Sequence, residues 1–329
     1  MSNFDVIGIG NAIVDVISHA EDTFLDHMGI EKGIMQLVER DRAEVLYAAM
    51  KDRTETPGGS VANTIAGLGS LGLSTAFIGK VKDDALGRFY AKGMEESGTA
   101  FPNPPVAAAE APTSRSMIFV SPDGERSMNT YLGAGADLGQ ADVSHDLFTD
   151  SKILFLEGYL FDKPDGKTAF AEAARQMKAA GGRAGITLSD PFCAERHRAD
   201  FQRLIKEEMD FVLGNAAEWT TLYETDDLAA ALDLAAAHCE TVVCTCSGDP
   251  VILRRGAEQV SVPVQMVVPV DATGAGDQFA TGFLYGYASG KSLDVSGRMG
   301  VIAASEVISH VGPRPKADLK TLFADAGLI

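Results

Sequence analysis

Six short apolar runs punctuate the chain: Val6-Ile7-Gly8-Ile9, Ala76-Phe77-Ile78, Ile153-Leu154-Phe155-Leu156, Ala184-Gly185-Ile186-Thr187-Leu188, Phe211-Val212-Leu213 and Thr241-Val242-Val243-Cys244. None alternates regularly with polar residues. Runs this short and continuous predict strands buried on both faces. Between them lie Ala- and Leu-rich stretches, including 167–180, which stops at Gly181-Gly182, and 227–238. Both read as helices. The alternation predicts right-handed βαβ units and a parallel sheet with helices on both faces. Two regions break the pattern. Residues 15–37 and 101–131 carry shorter extended pieces, prolines and turns such as Ser121-Pro122-Asp123-Gly124-Glu125, as surface hairpins do.

Length and charge narrow the class. The chain has 329 residues, 46% of them hydrophobic, enough for one large α/β core. No segment approaches the ~20 apolar residues of a membrane span. The start, Met1-Ser2-Asn3-Phe4-Asp5, has neither basic residues nor a long apolar stretch, so a cytoplasmic protein is expected. A net charge of −18 excludes a broad nucleic-acid or anionic-membrane surface. It leaves room for a small anion held by backbone amides. Cys193, Cys239, Cys244 and Cys246 lack the ligand spacing of a zinc site. Cys244 and Cys246 are expected to share one strand face as small buried residues.

The chemistry concentrates in Asp271-Ala272-Thr273-Gly274-Ala275-Gly276-Asp277, followed by the apolar run Gln278-Phe279-Ala280-Thr281-Gly282-Phe283. A tight small-residue turn opening a helix makes an anion cradle from free N–H groups and the positive dipole end. Asp277 adds a carboxylate. A cradle and a proton acceptor are what phosphoryl transfer to a hydroxyl needs, although Asp277 alone would pass for a helix cap. Gly58-Gly59 precedes a helix of small residues bearing Asn63, whose amide both donates and accepts. Asn11 and Asp15 follow the first strand and suit a vicinal diol, or form an ordinary Asx turn. Asn215-Ala216-Ala217-Glu218 follows another strand and reads by itself as a capping box. Thr245-Cys246-Ser247-Gly248 follows the last run. Nucleotide decoys fail: Gly8-Ile9-Gly10 lacks its third glycine, and Phe161 and Tyr285 stand where Gly166-Lys167-Thr168 and Gly290-Lys291-Ser292 would need the first P-loop glycine. Gly282, Gly286 and Gly290 are expected to pack closely against the sheet.

Asp271 to Asp277 resembles the C-terminal signature of the ribokinase/PfkB family of sugar and nucleoside kinases. Pro57 to Gly69, with Gly79 to Gly87, resembles its N-terminal signature. Gly10-Asn11 with Asp15, and Glu125 to Asn129, look most like its adenosine kinase branch. The resemblance implies a single three-layer α/β/α domain over 1–329, with a mostly parallel sheet and a small β-sheet lid from segments about 12–38 and 101–131. It implies ATP-dependent transfer to a primary hydroxyl, with adenosine the first acceptor and a free sugar the alternative; a non-catalytic binding protein on the same fold is the reading from another class. Asp277 would be the base. Gly274, Ala275 and Gly276 would hold phosphoryl oxygens. Asn11, Asp15, Gly58, Gly59 and Asn63 would meet the substrate. Asn215, Thr245, Ser247 and Gly248 would meet the nucleotide. Glu218 would hold Mg²⁺ through water, and Asp271 and Thr273 would lie near a monovalent cation, K⁺. A monomer or homodimer is expected. Met35, Leu37, Met117, Phe119 and Tyr159 are candidates for a nucleobase slot or for lid core.

Overall fold

The computed structural model describes residues 4–329, without the side chain of Asp162. The chain opens with β1 (Val6–Ile9), β2 (Ile13–His19), α1 (Asp22–Met28), β3 (Met35–Leu37), α2 (Arg40–Ala49) and β4 (Thr54–Gly58). It continues through α3 (Ser60–Ser70), β5 (Thr75–Ile78), α4 (Ala85–Glu96), β6 (Thr99–Ala100), β7 (Ser114–Val120) and β8 (Arg126–Tyr131). Then come β9 (Ile153–Glu157), α5 (Pro164–Ala179), β10 (Arg183–Thr187), α6 (Pro191–Arg196), α7 (Arg198–Glu207), β11 (Phe211–Asn215), α8 (Ala216–Tyr223), α9 (Leu228–Ala236) and β12 (Thr241–Cys246). β13 (Asp249–Arg255), β14 (Glu258–Val262), α10 (Ala275–Ala288), α11 (Leu293–Val307) and α12 (Leu319–Asp325) close it.

All six apolar runs become strands of one nine-stranded sheet, in the order β14-β13-β12-β11-β10-β9-β1-β5-β6. β12 through β6 run parallel, and β13 and β14 add an antiparallel edge. Side chains alternate between two buried layers. Ile7, Ile9, Leu154, Leu156 and Ile186 pack on one side. Val6, Phe77, Ile153, Phe155 and Phe211 pack on the other. Burying each such side chain contributes roughly 1.5–3 kcal/mol, which is why these runs carry no polar face. This is the ribokinase-like α/β fold that the motifs imply.

A second sheet of five strands, ordered β3-β8-β7-β2-β4, stands over one end of the first. It takes β2 and β3 from the first expected lid segment and β7 and β8 from the second. β4 lies outside both. After Gly10 the chain enters β2, not a helix, so no dinucleotide-type turn forms there.

α3 is buried along its whole middle, from Val61 to Leu68, with its polar residues Ser60, Asn63 and Thr64 turned to Asp277 of α10. It lies against α10, and a Cβ on Gly67 would stand 2.7 Å from Thr281. Gly282 and Gly286 do not face the sheet as expected. They admit α11: added Cβ atoms would lie 2.2 Å from the Met299 carbonyl and 2.7 Å from Ser296 Oγ. Gly290 follows the end of α10 with φ of 68°.

Candidate active site

A cavity of about 960 Å³ opens between the two sheets. Its floor is the carboxyl edge of the large sheet, with Phe155, Thr187, Leu213, Val243 and Thr245, where open α/β sheets bind ligands. Its roof comes from the small sheet, with Ile13, Asp15, Met35, Met128 and Thr130.

Asp277 sits in the first turn of α10, on the cavity wall. Ser60 Oγ donates to one carboxylate oxygen at 2.7 Å and Asn63 Nδ2 to the other at 3.0 Å. Thr64 Oγ1 donates to its backbone carbonyl at 3.0 Å. Burial pushes its carboxyl up to about 6, against the pull of Ser60, Asn63 and Arg314. The turn before it is built on Gly274, whose φ is 80° and where a Cβ would lie 2.7 Å from Pro313 Cα. The Ala275 N–H donates to the Ala272 carbonyl at 3.2 Å. Those of Gly274 and Gly276 have no partner among the described residues. Both residues line the cavity, and nothing lies within 4 Å of a Cβ built on Gly276.

Asp15 enters from β2, which pairs with β4 at Asp15–Thr56. No hydrogen bond reaches its carboxylate among the described residues, and burial pushes it up to about 7, with Asp277 adding to the rise and Arg126 and Arg314 opposing it. The double glycine makes room for this group. A Cβ on Gly58 would stand 2.5 Å from Asp15 Oδ2, and one on Gly59, at φ 99°, would stand 2.3 Å from the Asn11 carbonyl.

Asn11 and Asn63 also line the cavity, and each is tied to an acid. Glu157, at the end of β9, accepts from the Asn11 side chain at 2.8 Å, from the Asn11 N–H at 3.1 Å and from the Val61 N–H at 3.0 Å. Burial pushes Glu157 up to about 7. Asn63 gives its NH₂ to Asp277 and accepts Arg314 Nε on its oxygen at 3.3 Å.

On the far side of the floor, Asn215 and Glu218 form the capping box of α8. Glu218 accepts from the Asn215 N–H at 2.8 Å and from its side chain at 2.7 Å, and Asn215 Oδ1 accepts the Glu218 N–H at 2.9 Å. Burial pushes Glu218 up to about 7. Both residues still line the cavity, as does Thr245. Each Glu218 oxygen keeps a lone pair, so one hydrated divalent ion fits. Ser247 and Gly248 stand apart in the exposed β12–β13 turn. Ser247, not Gly248, takes the left-handed conformation, at φ 53°.

Asp271 lies behind the turn. It accepts the N–H of Thr273 and of Gly312, each at 3.0 Å, and it is ion-paired with Arg126 of β8. Arg126 Nη1 also donates to Thr273 Oγ1 at 3.1 Å. Burial pushes Asp271 up, but these partners hold it below the usual carboxylate range. The donors that the motif assigns to a monovalent cation are therefore already neutralised by a guanidinium, and K⁺ does not fit between them in this arrangement. No cluster of three or more His, Cys, Asp or Glu that could hold a metal occurs among the described residues.

Met35, Leu37 and Tyr159 line the cavity. Met117 and Phe119 do not. They are 0% and 1% exposed, because alternation along β7 turns them away from Ser116, which faces the ligand space. Sequence reasoning missed Ser60, Glu157 and Arg314. Glu157 left a faint sign, a carboxylate closing an apolar strand; the others left none.

Free amides at a helix start, a carboxylate beside them and a second one facing the same cavity form an arrangement able to hold a phosphate and accept a proton. The chain belongs to the pfkB family of carbohydrate kinases, whose pattern matches residues 31–320. It is 46% identical to a solved adenosine kinase from Sinorhizobium meliloti, with TM-score 0.91 over 98% of this chain and 99% of that one. It is 44% identical to a solved probable sugar kinase from Rhizobium etli, with TM-score 0.92 over 100% of both. A 5-dehydro-2-deoxygluconokinase from Bacillus anthracis is 26% identical over 324 residues, 93% of this chain and 89% of its own. The protein is thus a phosphotransferase with an alcohol group as acceptor.

Proposed function

We propose that this kinase transfers the γ-phosphoryl group of ATP to the primary 5′-hydroxyl of a purine nucleoside, adenosine first. The observation that carries the reading is the placement of Asp277, Asp15 and the Gly274 and Gly276 amides around one cavity whose roof also carries Ile13, Ile34, Met35, Leu37 and Met128. Asp15 would accept from ribose hydroxyls, since it has no protein partner to give up. Ile34, Met35, Leu37 and Met128 would cover a flat base. Asp277 would take the proton of the attacking hydroxyl as its oxygen bonds to phosphorus and ADP leaves. An alcohol is far too weak an acid to ionise first, so the proton moves late in the transfer. The Gly274 and Gly276 N–H groups would hold the phosphoryl oxygens as charge shifts, and positioning with charge stabilisation accounts for most of the acceleration. Glu218 would hold Mg²⁺ through water, and the ion would supply charge neutralisation on the phosphates. A cytoplasmic location, as expected from the sequence, is consistent with ATP as the phosphoryl donor.

A free sugar acceptor is the second reading, supported by the sugar kinase relatives. An assay of ADP release against adenosine, guanosine, inosine, ribose and fructose, with and without K⁺, separates the two. Adenosine turnover is expected, with little dependence on K⁺; ribose turnover without nucleoside turnover would replace the acceptor. Asp277→Asn is expected to fold and to lose at least ~10²-fold in turnover; near-normal turnover would remove Asp277 from the chemistry.

A further inference from the structure

The loop after α11 passes behind the Gly274 turn, and three of its residues in succession contact that turn, α10 and α3. Gly312 N–H donates to Asp271 at 3.0 Å, the Pro313 carbonyl accepts Gln278 Nε2 at 3.0 Å, and Arg314 Nε donates to Asn63 Oδ1 at 3.3 Å. The third contact has a consequence for the chemistry. A carboxamide can present either end to a neighbour. With its oxygen held by Arg314, Asn63 must turn its NH₂ toward Asp277, where it lies at 3.0 Å. Guanidinium, carboxamide and carboxylate form one chain.

Charge adds to orientation. Asp15 and Asp277 repel each other across the cavity. Asp277 is faced by Ser60, Asn63 and Thr64 of α3, by Asp15 of β2, by Glu157 of β9 and by Arg314. Asp15 is faced by Arg126 of β8, again by Arg314, and by the buried Tyr90 of α4, which also faces Arg314. Arg126 is committed to Asp271. No Asp or Glu forms an ion pair with Arg314 among the described residues; its other hydrogen bond is a weak one to Met94 Sδ at 3.7 Å.

We propose that Arg314 is a positioning residue for phosphoryl transfer: it points Asn63 at Asp277 and supplies the positive charge that lets Asp15 and Asp277 be anionic together. The proposal rests on Asp277 being the proton acceptor. A merely structural arginine would lower activity alike at every pH when removed. A charge-supplying one displaces the acid limb of the pH profile.

The test is kcat/KM against pH for wild type, Arg314→Gln, Arg314→Met and Arg314→Lys, with melting curves for each. The neutral variants are expected to move the acid limb upward by about one unit, a tenfold loss on that limb that is largely regained at alkaline pH. Arg314→Lys is expected to keep the limb in place while lowering kcat, because its ammonium lacks the Nε–H that holds Asn63. A uniform loss with an unmoved limb overturns the proposal. So does a limb displaced as far by Lys as by Gln or Met, and so does failure of both neutral variants to fold while Lys folds, which assigns Arg314 to stability. If Asp277→Asn retains turnover, the assignment of the base fails; if that variant is dead and the limb does not move, only Arg314 loses its role.

Discussion

Asp15, Glu218 and Asp277 line the cavity and Glu157 lies buried behind Asn11, and burial pushes Asp15, Glu157, Glu218 and Asp277 above the ordinary carboxylate range, to about 7, 7, 7 and 6. A carboxyl whose folded pKa is raised binds protons that the unfolded chain releases. Its contribution to stability is fully present below about pH 4 and is lost as pH rises through the raised value. The free enzyme is therefore expected to grow less stable from about pH 4 to pH 7, while activity, which needs the anions, rises over the upper part of the same interval. Asp15→Asn separates the two effects. It is expected to stabilise the free protein at pH 8 by on the order of 1–2 kcal/mol, seen in denaturant unfolding, and to raise KM for the acceptor at least ~10-fold. A lower unfolding midpoint at pH 8 would show that Asp15 is satisfied by contacts other than a ligand. Asp277 was legible from its spacing to Gly274 and Gly276. The raised pKa values were not, because they come from walls that four distant segments build.

Among the elements, the helix starts of α3 and α10 do the most for the site. Ser60 begins α3 and Asp277 lies in the first turn of α10, and the two are joined at 2.7 Å. This juncture needs Gly59 bare, at φ 99° and with the Asn11 carbonyl 2.3 Å from any added Cβ. Gly59→Ala is expected to cost about 1–3 kcal/mol of stability and to depress turnover with it; an unchanged unfolding midpoint would mean the turn relaxes freely. The parallel strands were readable because burial on both faces removes polar alternation. The β13–β14 edge and the register of the small sheet were not, since they depend on which distant strand lies alongside. Asn215-Ala216-Ala217-Glu218 carried two readings, and the structure satisfies the cap fully while leaving both residues at the cavity.

At the scale of the molecule, an ion pair joins the small sheet to the loop before α10: Arg126 of β8 and Asp271 behind the Gly274 turn, 9% and 7% exposed. Arg126 Nε and Nη2 are buried without hydrogen-bond partners. Such a pair is costly to break from one side, so the small sheet is tethered to the turn it covers. Arg126→Met is expected to loosen that cover, seen as faster amide exchange in β7 and β8 and as a rise in ATP hydrolysis relative to transfer; unchanged exchange would show that sheet packing alone holds the roof. By itself the amino-acid sequence determined the alternation of strands and helices, the anion-cradle turn and the carboxylate beside it, since these follow from local burial patterns and from glycines at neighbouring positions. Only the tertiary structure decided that Arg126 meets Asp271, that Glu157 holds Asn11 and that Arg314 holds Asn63. Those partners lie 145, 146 and 251 residues apart, and no periodicity along a chain encodes which buried charge will face which.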